Sequence, residues 1–489
     1  MTAIPNIRLE SVERFERDYK LRLPFRFGVI TVTEGQQAVI RARIALEDGR
    51  TAVGVAAEAL GAKWFDKSPE FSDAQNLDQL RQALGLATRL YGARGWSTPF
   101  GLYADTYSEQ LARGAELGLV PLVASYGPAL LDRAILDGLG RAMGLSFADM
   151  IRRNVPGIAA TDLTPDLAGY DLPRFLAGLQ PGADIAVRHT VGLLDPIVAA
   201  DQAPGERVDD GLPETLEEVV RHYRGRYYKL KVAGDIAADL ERLTSIAAVL
   251  DRDAGDYRAT LDGNEQYDNV EGIAELWRRM AETPALARLV AATLFVEQPI
   301  RRASALQKPV TALAHLKPLI IDESDGELGS FPAALRLGYR GVSSKNCKGL
   351  YKSILNAARV AKLNAEAGTR EYFMSAEDLT TLAGVSVQQD LALVSLLGLT
   401  HVERNGHHFI DGMSFVPEKE QAAFARAHPD LYDRSAGPAR LRIDGGRLAL
   451  GSLGCPGFAV AADMDFAAMR PMPAAPTARL AAAFPEKAA

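Results

Sequence analysis

Apolar and polar residues alternate through FRFGVITVTEGQQAVIRARIALEDGRTAVGVAAEAL, residues 25–60, with Glu-Gly and Asp-Gly turn signals between the runs. A period of two marks half-buried strands, so residues from about 20 to about 60 are expected to form a small antiparallel meander. From Ala74 the spacing turns helical, first in DAQNLDQLRQALGLATRLYGARG and again in GPALLDRAILDGLGRAMGLSFADMIRRN, where Gly144 is expected to end a helix. An α+β unit thus runs to about residue 155. The following NVPGIAATDLTPDLAGYDLPRFLAGLQPGAD is rich in Pro, Gly and Asp, has weak periodicity, and reads as a boundary.

From near Ala183, short β-like runs alternate with helical stretches: DIAVRHTVGLL, RYYKLKVAG, RATLDGN, TLFVEQPI, PLIIDES, RGVSSKNCK, EYFMSAED and THVERNGHHF. Such alternation over roughly 250 residues predicts a (β/α)8-type barrel. From Ala439, ARLRIDGGRLALGSLGCPGFAVAADM returns to β alternation around an Asp-Gly-Gly turn, as a hairpin added to another sheet would. The Ala- and Pro-rich end, PMPAAPTARLAAAFPEKAA, has the composition of a loose terminus.

The 489 residues exceed what one core usually serves, and 47% apolar with 24% charged residues is the balance of an ordinary folded protein. Net charge is −7 and basic residues are scattered, which argues against nucleic-acid or anionic-membrane partners and for small-molecule chemistry. The opening residues have no apolar signal region and no run is long enough to span a bilayer, so a cytoplasmic location is expected. Cys347 and Cys455 are too few for a disulfide framework and match no zinc spacing, so they are expected to be reduced thiols. HExxH, Walker A, GxGxxG after a strand and GxSxG are all missing, which removes the usual nucleotide, zinc-protease and serine-hydrolase readings.

The ionisable residues cluster where barrel enzymes keep their chemistry, at the C-terminal ends of successive strands: Lys229 and Lys231, Asp262, Glu297, Asp322 and Glu323, and Lys345. Strand alternation puts Lys229 and Lys231 on one face of their strand and Asp262 with Asn264 on one face of theirs, so the charges can converge on one pocket. Three carboxylates from adjacent strands form an oxygen-only set suited to a hard cation, and Mg2+, with Mn2+ as a substitute, is the natural occupant. Repulsion between the neighbouring lysines, with partial burial, is expected to lower an ammonium pKa towards the range of a general base. Parity alone leaves Asp322 and Glu323 undecided.

These residues also carry a family likeness. KLK at 229–231, LDGN at 261–264, VEQP at 296–299, IDES at 321–324 and SSKNCKG at 343–349 resemble the enolase superfamily, and within it the muconate-lactonizing subgroup. RAILDGLGRAMG resembles the last helix of that superfamily's capping domain, and IDGGRLALGSLGCPGFAV its closing hairpin. The resemblance covers the chain apart from extra residues around 60–125 and 150–180. It implies an α/β fold, a modified TIM-type (β/α)8 barrel at 183–438 with an α+β capping domain at 1–182 that the tail 439–489 rejoins. It also implies Asp262, Glu297 and Asp322 as metal ligands, Lys231 and Lys345 as acid/base groups on opposite substrate faces, and Lys229 tuning Lys231. Glu323 would then lie behind the ligands. The activity implied is Mg-dependent removal of the proton α to a small-molecule carboxylate through a metal-stabilised enediolate, ending in racemisation or epimerisation, or in β-elimination or cycloisomerisation. A catalytically silent relative kept for binding is the rival, and whether the chain forms a homo-oligomer stays open. The subgroup's KxGG is replaced here by Lys348, Gly349 and Leu350, and the Asp262 to Glu297 spacing is long.

Lys348 is read as a surface lysine at a helix start, Cys347 as a small packing residue, and His401, His407 and His408 as a solvent-facing strand or turn. Glu377 and Asp378 both reach the end of the seventh strand, and parity allows only one to face the substrate. Phe25 and Phe27 of PFRFG and the KWF at 63–65 fall in loops that, by resemblance, fold over the barrel mouth. Arg26 is the candidate contact there for a distal anionic group.

Overall fold

The computed structural model describes residues 4–28 and 30–474. Its first body is a four-stranded antiparallel sheet in the order Arg470–Pro471, β1 (Ile7–Phe27), β2 (Ile30–Leu46), β3 (Thr51–Ala59). The sheet begins at Ile7, earlier than the expected residue 20, because Ile7 and Leu9 already alternate inwards and pair with Leu46 and Ile44. The β2–β3 turn needs Gly49, whose φ is +88°.

Three helices follow, Asp73–Arg94, Pro99–Glu116 and Pro121–Met143; the first and last cover this sheet and the second packs on both of them. Each start has a physical signal: a Ser72/Gln75 capping box, Thr98 capping with Pro99 behind it, and Pro121 in the first turn. The third helix ends at Gly144 in the left-handed conformation, as its sequence predicts. This helix lies so close to β3 that a Cβ on Gly54 would stand 2.0 Å from Ala134 O and 2.2 Å from Gly138 N. Asp137 fixes the contact by accepting from Val55 N and Phe458 N. Buried Arg133 pairs with Glu58 at 3.0 Å.

The second body is a barrel of eight parallel strands: β4 (Asp184–Val191), β5 (Tyr227–Lys231), β6 (Arg258–Asp262), β7 (Thr293–Glu297), β8 (Leu319–Ile321), β9 (Gly341–Ser344), β10 (Phe373–Ala376) and β11 (His401–Arg404). β11 pairs with β4 from His401↔Ala186 to Arg404↔His189 and closes it. Alternation sends Leu230, Leu261, Val296, Ile321 and Val342 outwards into the apolar layer under the helices. The opposite parity fills the interior with charge. Gln389 of helix Val385–Leu396 donates to Val55 O and ties barrel to cap.

The tail divides between the two bodies. The strand Arg447–Ala449, after the Asp-Gly-Gly turn, pairs antiparallel with β4 of the barrel, and only Arg470–Pro471 reaches the cap's sheet through β1. The Ala/Pro-rich end falls outside the described residues from 475 onward. No described helix is long and apolar enough to cross a membrane.

The helix-on-sheet contact gives a stability test. Gly54→Ala should lower the urea unfolding free energy by about 1–3 kcal/mol through overpacking. Gly92→Ala, in the helix Asp73–Arg94 with open space around it, should raise it by about 0.5–1 kcal/mol.

Candidate active site

Strand parity brings the predicted residues together inside the barrel. Lys229 is 1% exposed, and its Nζ donates to Glu297 Oε1 (2.9 Å), Glu377 Oε2 (2.8 Å) and Glu403 Oε2 (2.9 Å). It also lies 2.9 Å from Asp262 Oδ2. Lys231 Nζ, one turn of the pleat nearer the mouth, donates to Asp262 Oδ2 at 2.5 Å. Across the barrel, Lys345 Nζ donates to Asp322 Oδ2 at 2.6 Å, and Lys348 Nζ lies 3.3 Å from Asp322 Oδ1. β5 and β9 stand four strands apart in a ring of eight, so Lys231 and Lys345 face one another.

The charges shape each other. Burial alone would depress the Lys229 ammonium, but Asp262, Glu297, Glu377 and Glu403 together hold its pKa well above the usual lysine range. Lys345 behaves likewise, burial being outweighed by Asp322. The lowering expected from the Lys229–Lys231 repulsion therefore does not occur at Lys229, because four carboxylates outweigh one neighbouring cation. Burial raises the carboxyls, yet Lys229 and Lys231 bring Asp262 below its ordinary value, and Lys345 and Lys348 bring Asp322 far below. Glu297 goes the other way, pushed up by burial and by the charges of Asp262 and Glu377.

Asp322 faces inward and Glu323 does not share its partners: Glu323, also buried, meets Lys67 of the cap at 3.5 Å. The donor set Asp262, Glu297 and Asp322 fits a hard divalent cation in chemistry, being all oxygen and drawn from consecutive strands. Two further observations agree. Glu297 Oε2 lies 2.7 Å from Lys229 Nζ without a hydrogen bond, and Glu323 Oε2 is buried with no donor at all. Among the described residues no three His, Cys, Asp or Glu side chains form a ready-made cage, since the lysines hold the acids in ion pairs instead.

Above the charges lies a cavity of about 30 Å3 lined by Lys231, Asn264, Lys345, Asp378, Leu379, Thr380, Glu403 and Asn405, and roofed by Phe25, Phe27 and Trp64. Trp64 lays its ring over Lys345 Nζ at 4.2 Å. Asn264 sits at φ +41° at the rim. The two acids of β10's end both point inwards, but at different depths. Glu377 goes down to Lys229 and to Arg188, whereas Asp378 reaches the mouth and accepts from Thr381 N and Asn405 N.

Several expectations are corrected. Lys348 is no surface lysine: it is 2% exposed and bonds Ser343 Oγ at 2.6 Å and pairs with Asp325 at 3.2 Å, because its helix start is buried against β8. The histidines are not solvent-facing either. His408 is buried, His401 Nδ1 meets Arg188, and His407 Nε2 lies 3.2 Å from His189 Nδ1, all packed where β11 closes on β4. Arg26 turns its Nε to Gly28 O and does not line the cavity. Cys347 is buried, where burial pushes its thiol well above the ordinary range.

Glu403, Arg188 and Lys67 are the residues that reading of the sequence missed. Glu403 was legible: THVER ends the eighth strand with a charge just as the earlier strands do. Arg188 sits in the middle of β4, and Lys67 follows the KWF loop, so no strand-end rule points to either. Lys67 Nζ lies 2.6 Å from Glu265 Oε2, and Arg302 binds the same carboxylate while donating to Trp64 O and Phe65 O.

No protein-family profile and no curated protein matches this chain. Solved structures do share its fold. An enolase-superfamily member from Listeria innocua is 16% identical with a TM-score of 0.57, over 94% of this chain and 95% of that one. 2-Chloromuconate cycloisomerase from Rhodococcus opacus 1CP is 16% identical with a TM-score of 0.56, over 93% and 97%. An enolase from Bradyrhizobium, complexed with magnesium and mandelic acid, is 15% identical with a TM-score of 0.56, over 95% and 97%. The fold is thus that of enolase-superfamily structures, a TIM barrel with a capping domain.

Two outcomes follow from the charge arrangement. Lys229→Met should cost at least about 3–5 kcal/mol of unfolding free energy, since it strands a cluster of buried carboxylates. In thermal melts, wild type should gain stability on Mg2+ addition and lose it with chelator, Asp262→Asn weakening the Mg2+ response more than Glu323→Gln. A melt indifferent to both chelator and Mg2+ counts against the cation site.

Proposed function

We propose that this chain is a divalent-metal-dependent isomerase or lyase of the enolase superfamily that removes the proton α to a substrate carboxylate. The observation that carries the reading is that Lys231 and Lys345 line one cavity from strands across the barrel, each paired with one of the proposed ligands, Asp262 and Asp322. A cation bound by Asp262, Glu297 and Asp322 would supply positive charge to the substrate carboxylate as its second negative charge develops.

The chain's own residues do the rest. Lys231 Nζ on one wall and Lys345 Nζ on the other are each placed to take the α-proton from one face of the substrate or return it to the opposite face. Asp322 outweighs burial at Lys345 and holds that ammonium protonated; relief of the acid's charge lets burial lower the lysine's pKa, the direction a base requires. Lys229, below, keeps Glu297, Glu377 and Glu403 compensated and so fixes the acids in place. The aromatic roof excludes water, which strengthens every one of these interactions. Two facing lysines favour racemisation or epimerisation over elimination, which needs only one base. That the Rhodococcus and Bradyrhizobium structures of this fold are a cycloisomerase and a protein complexed with magnesium and mandelic acid supports the reaction class.

The test is proton NMR in D2O on both isomers of a responsive carboxylate. For an epimerase, Lys231→Ala should abolish α-deuterium uptake from one isomer and Lys345→Ala from the other, each by at least about 1,000-fold, with net turnover lost in both. Undiminished turnover in either variant removes that lysine from the mechanism, and in both variants removes the mechanism.

A further inference from the structure

A second and larger cavity, of about 320 Å3, lies on the outer side of β11 and shares no lining residue with the one at the mouth. Alternation along the chain separates the two: Glu403 and Asn405 line the mouth, whereas Arg404 and Gly406 line the outer cavity. After Thr380 the chain likewise passes from one to the other, Thr381 to Ala383 forming part of the second. Its remaining walls come from the end of the helix Leu216–Tyr223 and from the paired segments Tyr432–Asp433 and Arg440–Leu441. The volume falls within the range of about 300–1,000 Å3 that small-molecule sites occupy. Nothing in the proposed reaction uses these residues.

The formal charges of this wall are Arg404, Arg440, Arg442 and Asp433, joined by the imidazoles of His222 and His407. The acids that answer two of the arginines stand outside the lining: Asp390 and Asp378 take Arg404, and Asp411 takes Arg440 at 2.6 Å. Asp433, the acid within the wall, is occupied by Ser435 N and Ser435 Oγ. Arg440 spends Nε on Asp411 and Nη1 on Ala436 O, which leaves Nη2 without an acceptor among the described residues. The side chain of Arg442, exposed at the rim, donates to Tyr432 O at 3.4 Å and to nothing else described. Two guanidinium groups thus keep donors to spare. Burial, and after it the charges of His408, Arg404 and His222, lower the His407 pKa to about 3. At Tyr223 burial raises the pKa to about 12 against the pull of Arg22 and Arg440, with Asp210 adding to the rise. Cations outnumber acids around both groups. Leu212, Leu382, Ile410, Leu441 and Ile443 supply the carbon of the cavity.

We propose that this outer cavity is a second ligand site, for a small organic anion whose charged group meets Arg440 and Arg442 and whose apolar body lies on the aliphatic wall. Charge-assisted bonds from a guanidinium are stronger than neutral ones, and the apolar body gains from leaving water. The site stands apart from the proposed reaction but not far from it. Asp378, which lines the mouth, accepts from Thr381 N and Asn405 N and lies 3.6 Å from Arg404, so one wall serves both cavities.

Calorimetric titration of the full chain with benzenesulfonate tests it, with EDTA present so that no divalent cation is available at the mouth. Benzenesulfonate should bind at least about 10-fold more tightly than benzenesulfonamide, which keeps the body and loses the charge, and than methanesulfonate, which keeps the charge and loses the body. Arg442→Glu, and Ala436→Trp at the exposed rim, should each weaken benzenesulfonate by about 10-fold. Phe27→Arg, which adds a cation at the mouth, should leave its Kd unchanged. Absence of binding overturns the site, and equal binding of benzenesulfonamide or of methanesulfonate overturns the ligand class. A Kd unmoved by both Arg442→Glu and Ala436→Trp, or tightened by Phe27→Arg, puts the anion at the mouth and overturns the proposal while leaving the proposed reaction standing.

Discussion

Lys229 is buried within 3 Å of four carboxylates, those of Asp262, Glu297, Glu377 and Glu403, and the barrel's interior is organised around that one ammonium. A barrel of this kind ordinarily fills with branched apolar side chains. Here Arg188 of β4 and inward positions at or just past the ends of the other strands carry charge instead, and charge taken out of water is tolerated only when it is paired. Arg188 answers Glu377, Lys231 answers Asp262, and Lys345 with Lys348 answers Asp322. The network is costly to build and unforgiving of any missing member. An apolar filling would hold the barrel at least as well, so packing stability by itself does not account for the charges.

The cap exists in relation to that interior. Its rings close the mouth, and charged side chains latch the closure at three places, two from the cap and one from the barrel. Arg22 bonds Asp210 and the carbonyls of Pro213 and His408, Lys67 reaches Glu265 and Glu323, and Arg302 reaches up from the barrel to the carbonyls of Trp64 and Phe65. Glu265 takes both Lys67 and Arg302, so a single barrel carboxylate holds the segment that carries Trp64 over Lys345. Cap position and the surroundings of Lys345 are thereby linked through Lys67, Glu265 and Arg302.

The extra length of the chain relative to the expected pattern also has a place. The helices Asp73–Arg94 and Pro99–Glu116 pack with Pro121–Met143, and the rings of Phe100 and Tyr103 pack on Tyr351 in the helix that begins just after Lys348. Tyr107 OH accepts from Leu328 N in the loop after β8. The insertion thus covers the outer end of the Lys348–Asp325–Lys352 string and adds to the burial that Lys348 already has against the end of β8.

The sequence by itself determined the eight barrel strands, the helix ending at Gly144 and the strand-end register of Lys229, Lys231, Asp262, Glu297 and Lys345. These follow from period and parity, which are local properties of the chain. The eighth strand's Glu403 was equally local and was overlooked beside the histidines. Only the tertiary structure decided what depends on which elements meet. The four-carboxylate ring around Lys229 reverses the direction of its pKa, because the acids that surround it come from four other strands. His408 is buried, and His401 and His407 half-buried, because β11 closes on β4; the tail's hairpin joins β4 while Phe458 and Arg470–Pro471 return to the cap, and Arg26 turns away from the mouth that Phe25 and Phe27 face. A sequence records the charge and spacing of each side chain, but the field that each one feels is summed over partners far along the chain, and only the folded barrel brings those partners within reach.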